Sequence, residues 1–209
     1  MTLPHILGLI VAYAVGSIPA AYIAGRLVRG IDLRQHGSGN LGATNVYRVL
    51  GSKVAAAVLL FDAAKGALPV LFLPRLIPDG DPLLWAIAYG VAAIVGHVRP
   101  VFLLWKGGGK GVATSSGVFA ALAPLPMLAT FIVWAAVLWG TGYVSVASLS
   151  AAAMLPLAIL AVTGPRSPLF GVALAVGGFV FWTHRANIGR LRRGEESRFT
   201  RRPRAESAE

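Results

Sequence analysis

From Leu3 to Gly25 the chain runs 23 residues without a formal charge. A helix of that length rises about 35 Å, enough to cross a ~30 Å hydrocarbon layer with some tilt. No basic residue precedes the run and no small-residue cleavage pattern ends it before Arg26, so it reads as a retained span rather than a removed signal. Comparable apolar runs follow at Val54 to Leu73, Leu83 to Leu104, Val112 to Trp139, Val144 to Val162 and Leu169 to Thr183. With 56% hydrophobic and 13% charged residues, the chain lies outside the range of soluble domains. The expected fold class is all-α integral membrane.

The number of crossings turns on Val112 to Trp139, where Pro124 and Pro126 interrupt the run. Proline cannot donate to a helical ladder and disfavours helix in the residue before it. A break there gives seven transmembrane helices and puts 16 of the 19 Lys and Arg on one side: five between the first two spans, three between the third and fourth, and eight after the last. Basic residues collect on the cytoplasmic side, so the N-terminus is expected outside and the C-terminus in the cytoplasm. The fourth segment, Val112 to Ala123, would be only ~18 Å long and is expected to tilt, re-enter or extend into its flanks. Residues 1–197 form one polytopic domain, and 198–209 form a basic tail expected to be disordered or laid against lipid. Trp85, Trp105, Trp134, Trp139 and Trp182 fall mostly near span ends, as interfacial anchors do.

A net charge of +11 could indicate nucleic acid, but the cations lie between and after apolar runs, a pattern suited to topology and anionic lipid. Without cysteine there is no thiol nucleophile and no disulfide.

Four polar segments share the predicted cytoplasmic side: His36 to Arg48, Lys106 to Gly111, Tyr143 to Ser148, and the stretch from Thr183. The first, HGSGNLGATNVYR, formally contains G-x-G-x-x-G, but it follows a membrane span, so a dinucleotide reading lacks its strand. KGGGKG lacks the spaced glycine and hydroxyl of a Walker loop. Both keep the underlying chemistry, since backbone N–H groups of Gly37, Gly39, Gly108, Gly109 and Gly111 can converge on an anion while Arg48, Lys106 and Lys110 supply charge. The residues alone leave KGGGKG open between a phosphate cradle and a flexible basic turn at the headgroups. Thr44 and Asn45 extend the polar surface of the first loop.

Asp62 and Lys65 stand at i, i+3 inside the second span and read as a structural ion pair without a third titratable partner. His97 reads as an interfacial hydrogen bonder, and His184 with Asn187 at i, i+3 can face one ligand. No metal or other cofactor is called for by these spacings.

Three motifs in order, GSIPAAYIAGRL with HGSGNLGATNVYR, GHVRPVF with KGGGKGVAT, and HRANIGRLRRGEE, resemble the bacterial acyl-phosphate:glycerol-3-phosphate acyltransferases of the PlsY type. The resemblance implies a seven-helix inner-membrane enzyme that moves an acyl group from acyl phosphate to the 1-hydroxyl of glycerol 3-phosphate in phospholipid synthesis. It implies site positions at Ser38, Asn40, Arg48, Lys110, Ser148, His184 and Asn187. The family's KGGKG is KGGGKG here, and alignment on GKGVAT keeps Lys110 as the phosphate lysine. Expected partners are glycerol 3-phosphate, long-chain acyl phosphate and membrane lipid, with a monomer as the working unit.

An acyl phosphate is already activated, so positioning and charge neutralisation can suffice without a covalent acyl-enzyme. The expected division has Lys110 and loop amides on the acyl phosphate, Arg48, His184 and Asn187 on glycerol 3-phosphate, and Ser38 and Ser148 on phosphate oxygens. The motifs offer no strong carboxylate base, since Asp32 precedes HGSGNLGATNVYR while Glu195 and Glu196 come only after the HRAN core of the last. His184 or a substrate phosphate would take the proton. The competing classes are a transporter for an anionic metabolite and a lipid-binding scaffold; related halves with midplane polar groups, expected of the former, are not evident.

Overall fold

A computed structural model describes residues 2–199, and every regular element among them is helical. The first apolar run is two helical segments, α1 (Leu3–Gly16) and α2 (Ala20–Arg29), separated at Ser17–Pro19. The reason is Pro19, which has no N–H to continue the ladder. The two still make one candidate span of 27 residues. A short 3₁₀ turn and the first polar loop lead to α3 (Ala43–Leu50), an amphipathic helix too short to cross a bilayer.

The long helices are α4 (Ser52–Leu76) and α5 (Pro82–Val98), followed across the second loop by α6 (Val112–Leu122), α7 (Pro124–Thr141), α8 (Val144–Thr163) and α9 (Pro168–Thr183). The run from Val112 is thus two helices, with Pro124 starting α7 in a first turn that needs no N–H donor. The last helix among the described residues is α10 (Arg185–Arg192), bent 55° from α9. Five helical stretches among the described residues are long and apolar enough to cross a membrane, or six if α9 and α10 count as one bent span. The 11 residues of α6 rise only about 17 Å.

Close backbone approach lets this short helix share the bundle. A Cβ on Gly117 would overlap the Ala63 carbonyl and one on Gly66 the Thr114 carbonyl, so at each contact a glycine of one helix lies directly against the backbone of the other. The main core fills the space between α4, α5, α6, α8 and α9 with Val70, Ile87, Phe119, Leu155, Ile159 and Val176. A second cluster, with Leu33, Leu41, Val46 and Val58, seats the first loop and α3 on α4. Leu27, Leu125 and Trp139 lie 72–81% exposed, on an apolar exterior suited to lipid. Trp134 departs from the anchor expectation, because it lines an internal cavity and stacks on Phe131 at 5.9 Å.

Arg198 and Phe199, assigned from sequence to the tail, are seated: Arg198 Nε donates to the Tyr143 hydroxyl at 3.2 Å and Phe199 N to the Gly142 carbonyl at 2.6 Å. The remainder of the tail expectation, residues 200–209, lies outside the described residues.

Candidate active site

The first loop is folded by its own side chains. Asp32 accepts from the Arg34 amide at 3.0 Å and from its guanidinium at 2.6–3.1 Å. The Arg34 guanidinium beside Asp32 holds that carboxyl at about 2. Asn45 accepts from Ser38 N at 2.8 Å and donates to the carbonyls of Leu33 and His36 at 3.3 and 3.0 Å. Its carboxamide therefore braces the turn that presents Ser38. Gly37 sits at φ +61°, against the Asn45 oxygen, where a side chain would be both strained and obstructed.

The second loop lies flat on the end of α5. A Cβ on Gly108 would overlap the His97 and Val98 carbonyls, and Gly109 N donates to the His97 carbonyl at 3.3 Å. Two bonds join it to the first loop, from Asn40 Nδ2 to the Gly108 carbonyl at 3.3 Å and from Arg34 to the Lys106 carbonyl at 3.2 Å. Gly111, at φ +84°, turns the chain into α6 and leaves Lys110 facing the third motif.

There Lys110 Nζ donates to the Asn187 oxygen. Asn187 Nδ2 donates to Glu196 Oε1 at 2.6 Å, and Arg190 Nε donates to Glu196 Oε2 at 2.7 Å. Burial pushes the Lys110 amine down to about 8, with Glu196 opposing the shift and Arg190 and Arg48 adding to it. Arg48 is also lowered by burial. Glu196 is desolvated, yet hydrogen bonds led by Asn187 hold its carboxyl below the ordinary value. His184 Nδ1 faces the Val180 carbonyl at 2.8 Å and must donate to it, which fixes the tautomer and leaves Nε2 with a lone pair. Burial, followed by the Lys110 charge, pushes this imidazole down to about 4.

A cavity of about 400 Å³ joins these groups. Its polar end is lined by Ser38, Asn40, Thr44, Asn45, Arg48, Lys110, Gly111, Ser148, His184 and Asn187, so ten residues expected from three separated motifs and α8 meet in one space. Gly37, Gly39, Gly108 and Gly109 do not line it; the latter two border a polar void of about 10 Å³ beneath the second loop. The other end is apolar, walled by Leu59, Met127, Phe131, Trp134, Leu155 and Val176 from α4, α7, α8 and α9. Among the described residues, no group of three or more His, Asp or Glu is placed to hold a metal ion.

Three features depart from the sequence reading. Glu196 does reach the cavity, because Gly194 at φ +71° reverses the chain after α10 and Glu195 N caps the Arg190 carbonyl at 2.8 Å. The glycine after a basic helix was the available signal. Arg190 lines the same wall. Asp62 does have a third partner, since His97 Nδ1 stands 3.5 Å from the oxygen that takes Lys65 at 2.7 Å.

A family profile described as Glycerol-3-phosphate acyltransferase matches residues 6–194. The chain belongs to that family. It is 47% identical over 190 residues to the glycerol-3-phosphate acyltransferase of Geobacter sulfurreducens, covering 90% of this chain and 94% of that one. The enzyme of the same name from Desulforudis audaxviator is 48% identical, with 90% and 92% covered. Among solved structures, PlsY, an integral membrane glycerol 3-phosphate acyltransferase, superposes with a TM-score of 0.83 at 37% identity in its glycerol 3-phosphate form, covering 94% of this chain and 96% of that one. Its lysophosphatidic acid form gives the same score. The chain is an integral membrane acyltransferase.

Proposed function

We propose that the enzyme transfers a long-chain acyl group from acyl phosphate to the 1-hydroxyl of glycerol 3-phosphate, giving lysophosphatidic acid and inorganic phosphate. One observation carries this reading: a single cavity has a cationic, amide-rich end and an apolar end between helices. An acyl phosphate needs both at once, and a phosphorylated glycerol needs only the first.

In this reading Lys110 neutralises the departing phosphate, while Arg48, His184 and Asn187 orient glycerol 3-phosphate, and Ser38 and Ser148 hydrogen-bond phosphate oxygens. The attacking oxygen forms an ester bond to the acyl carbon as the acyl carbon–phosphate oxygen bond breaks, its electron pair leaving with phosphate. An imidazole at about 4 is too weak a base for this proton at neutral pH. Glu196 is tied up by Asn187 and Arg190. The proton therefore passes to a phosphate oxygen of the substrates.

The same proposal places the cavity mouth toward the cytoplasm of a bacterial inner membrane. The polar ends of the three motifs come from the segments that hold 16 of the 19 Lys and Arg. Seven crossings, with α1–α2 as one and α6 as a short fourth, satisfy that charge asymmetry, and a monomer holds the whole cavity. The donor is tested with purified enzyme in detergent, given labelled glycerol 3-phosphate and either palmitoyl phosphate or a palmitoyl thioester. Lysophosphatidate from palmitoyl phosphate is expected; product from the thioester alone overturns the donor, and product from neither overturns the reaction.

A further inference from the structure

Asp62 lies inside α4, 2% exposed, at a depth where an unpaired carboxylate is costly. Lys65 neutralises it and also donates to the Ile18 carbonyl at 2.8 Å, at the break between α1 and α2. His97 Nδ1 stands 3.5 Å from the carboxylate oxygen that takes Lys65, which leaves Nε2 on the far side of the ring. That nitrogen abuts Gly109: a Cβ there would overlap the imidazole at Nε2. The His97 carbonyl meanwhile accepts from Gly109 N at 3.3 Å. One residue thus holds Gly109 through both its backbone and its ring, and the next residue is Lys110. Asp62 and His97 both line the reaction cavity as well as the void beneath the loop.

We propose that the buried Lys65–Asp62–His97 network fixes the position of the second glycine loop and so aims Lys110 at the reacting phosphate, which makes His97 a positioning residue for acyl transfer. The inference rests on the acyl-transfer reading above for the kinetic consequence, and on geometry alone for the placement of Lys110. Asp62 anchors the ring, the ring backs Gly109, and the lack of a Cβ at Gly109 lets loop and ring sit in contact. The lysine then meets Asn187 from a bed whose height is set by a carboxylate on α4.

Substitution of Asp62 would strand Lys65 and could prevent folding, so the test uses the other two partners. His97→Ala, His97→Asn, Gly109→Ala and His97→Ala/Gly109→Ala are made in the full chain. Steady-state kinetics with palmitoyl phosphate and glycerol 3-phosphate are measured alongside the thermal midpoint. His97→Ala is expected to lower kcat tenfold or more with KM for glycerol 3-phosphate within threefold. His97→Asn, whose amide can reach Asp62 as Nδ1 does, should recover most of the loss. Gly109→Ala should be similarly slow, and the double variant no slower than the worse single one, because removing the ring makes room for the methyl group. Multiplicative losses in the double variant, an unchanged kcat in His97→Ala, or a loss confined to the thermal midpoint overturns the proposal. An independent readout is reductive methylation of Lys110, followed by mass spectrometry. Its rate should rise at least threefold in His97→Ala and return in His97→Asn, and an unchanged rate also overturns the proposal. If the unmodified enzyme makes no lysophosphatidate, the acyl-transfer reading falls while the methylation rates still decide the placement.

Discussion

Replacing Lys110 with methionine separates catalysis from stability, because the two should move in opposite directions. The amine titrates at about 8 in the folded chain, against an ordinary 10.5, with burial as the leading cause. A lysine depressed in this way binds fewer protons folded than unfolded between those values, so stability rises with pH across that window. The difference corresponds to about 3 kcal/mol of strain at pH 7 from keeping the charge in place. Lys110→Met removes that strain at similar volume, and its thermal midpoint in detergent at pH 7 should equal or exceed that of the unmodified enzyme. Activity should fall by about 10²–10³-fold in kcat, the usual cost of losing one group aimed at developing negative charge. In the proposed role the ammonium is the active form, so kcat of the unmodified enzyme should decline as pH rises through about 8. Lys110→Arg stays charged and should retain partial activity without that decline. Lys110→Met within threefold of the unmodified kcat, or a decline near pH 8 that persists in Lys110→Arg, would remove Lys110 from the reacting phosphate.

Three further outcomes follow from the same geometry. Glu196→Gln keeps a partner for Asn187 but removes the charge that supports the Lys110 ammonium, so the alkaline decline should move below about 8, read from kcat against pH. His184→Ala should retain most of kcat between pH 6 and 9 and show its loss in KM for glycerol 3-phosphate; a hundredfold or greater fall in kcat across that range would make the imidazole the essential base. Ala151 lines the cavity on α8, and Ala151→Phe should lower kcat/KM for palmitoyl phosphate about tenfold more than for a twelve-carbon donor, measured in parallel assays.

The sequence motifs could be read because polar and glycine residues are conspicuous between apolar runs, and ten of the expected residues line one cavity. The proline pair likewise marked the α6–α7 boundary, since its effect on the backbone is local. Contacts made across the fold were not legible. Glu196 stands nine residues after Asn187 and reaches it only through the reversal at Gly194. His97 belongs to α5 and meets Asp62 of α4 by helix packing, which no spacing along the chain reveals. At Gly108 and Gly109 the spacing suggested an anion cradle, and it gave no sign that their lack of side chains also accommodates His97 and Val98 at the end of α5. Pro19 lay inside a long apolar run read as one segment from Leu3 to Gly25, whereas the helical stretch is broken at Ser17–Pro19 and continues to Arg29.

The central claim is direct transfer within one cavity, without an acyl-enzyme. Rapid mixing of enzyme with phosphate-labelled palmitoyl phosphate, with and without glycerol 3-phosphate, measures it. No burst of phosphate and no acylated protein are expected when the acceptor is absent, and one phosphate is released per lysophosphatidate when it is present. A stoichiometric burst without acceptor, with palmitate attached to Ser38 or Ser148, would contradict it.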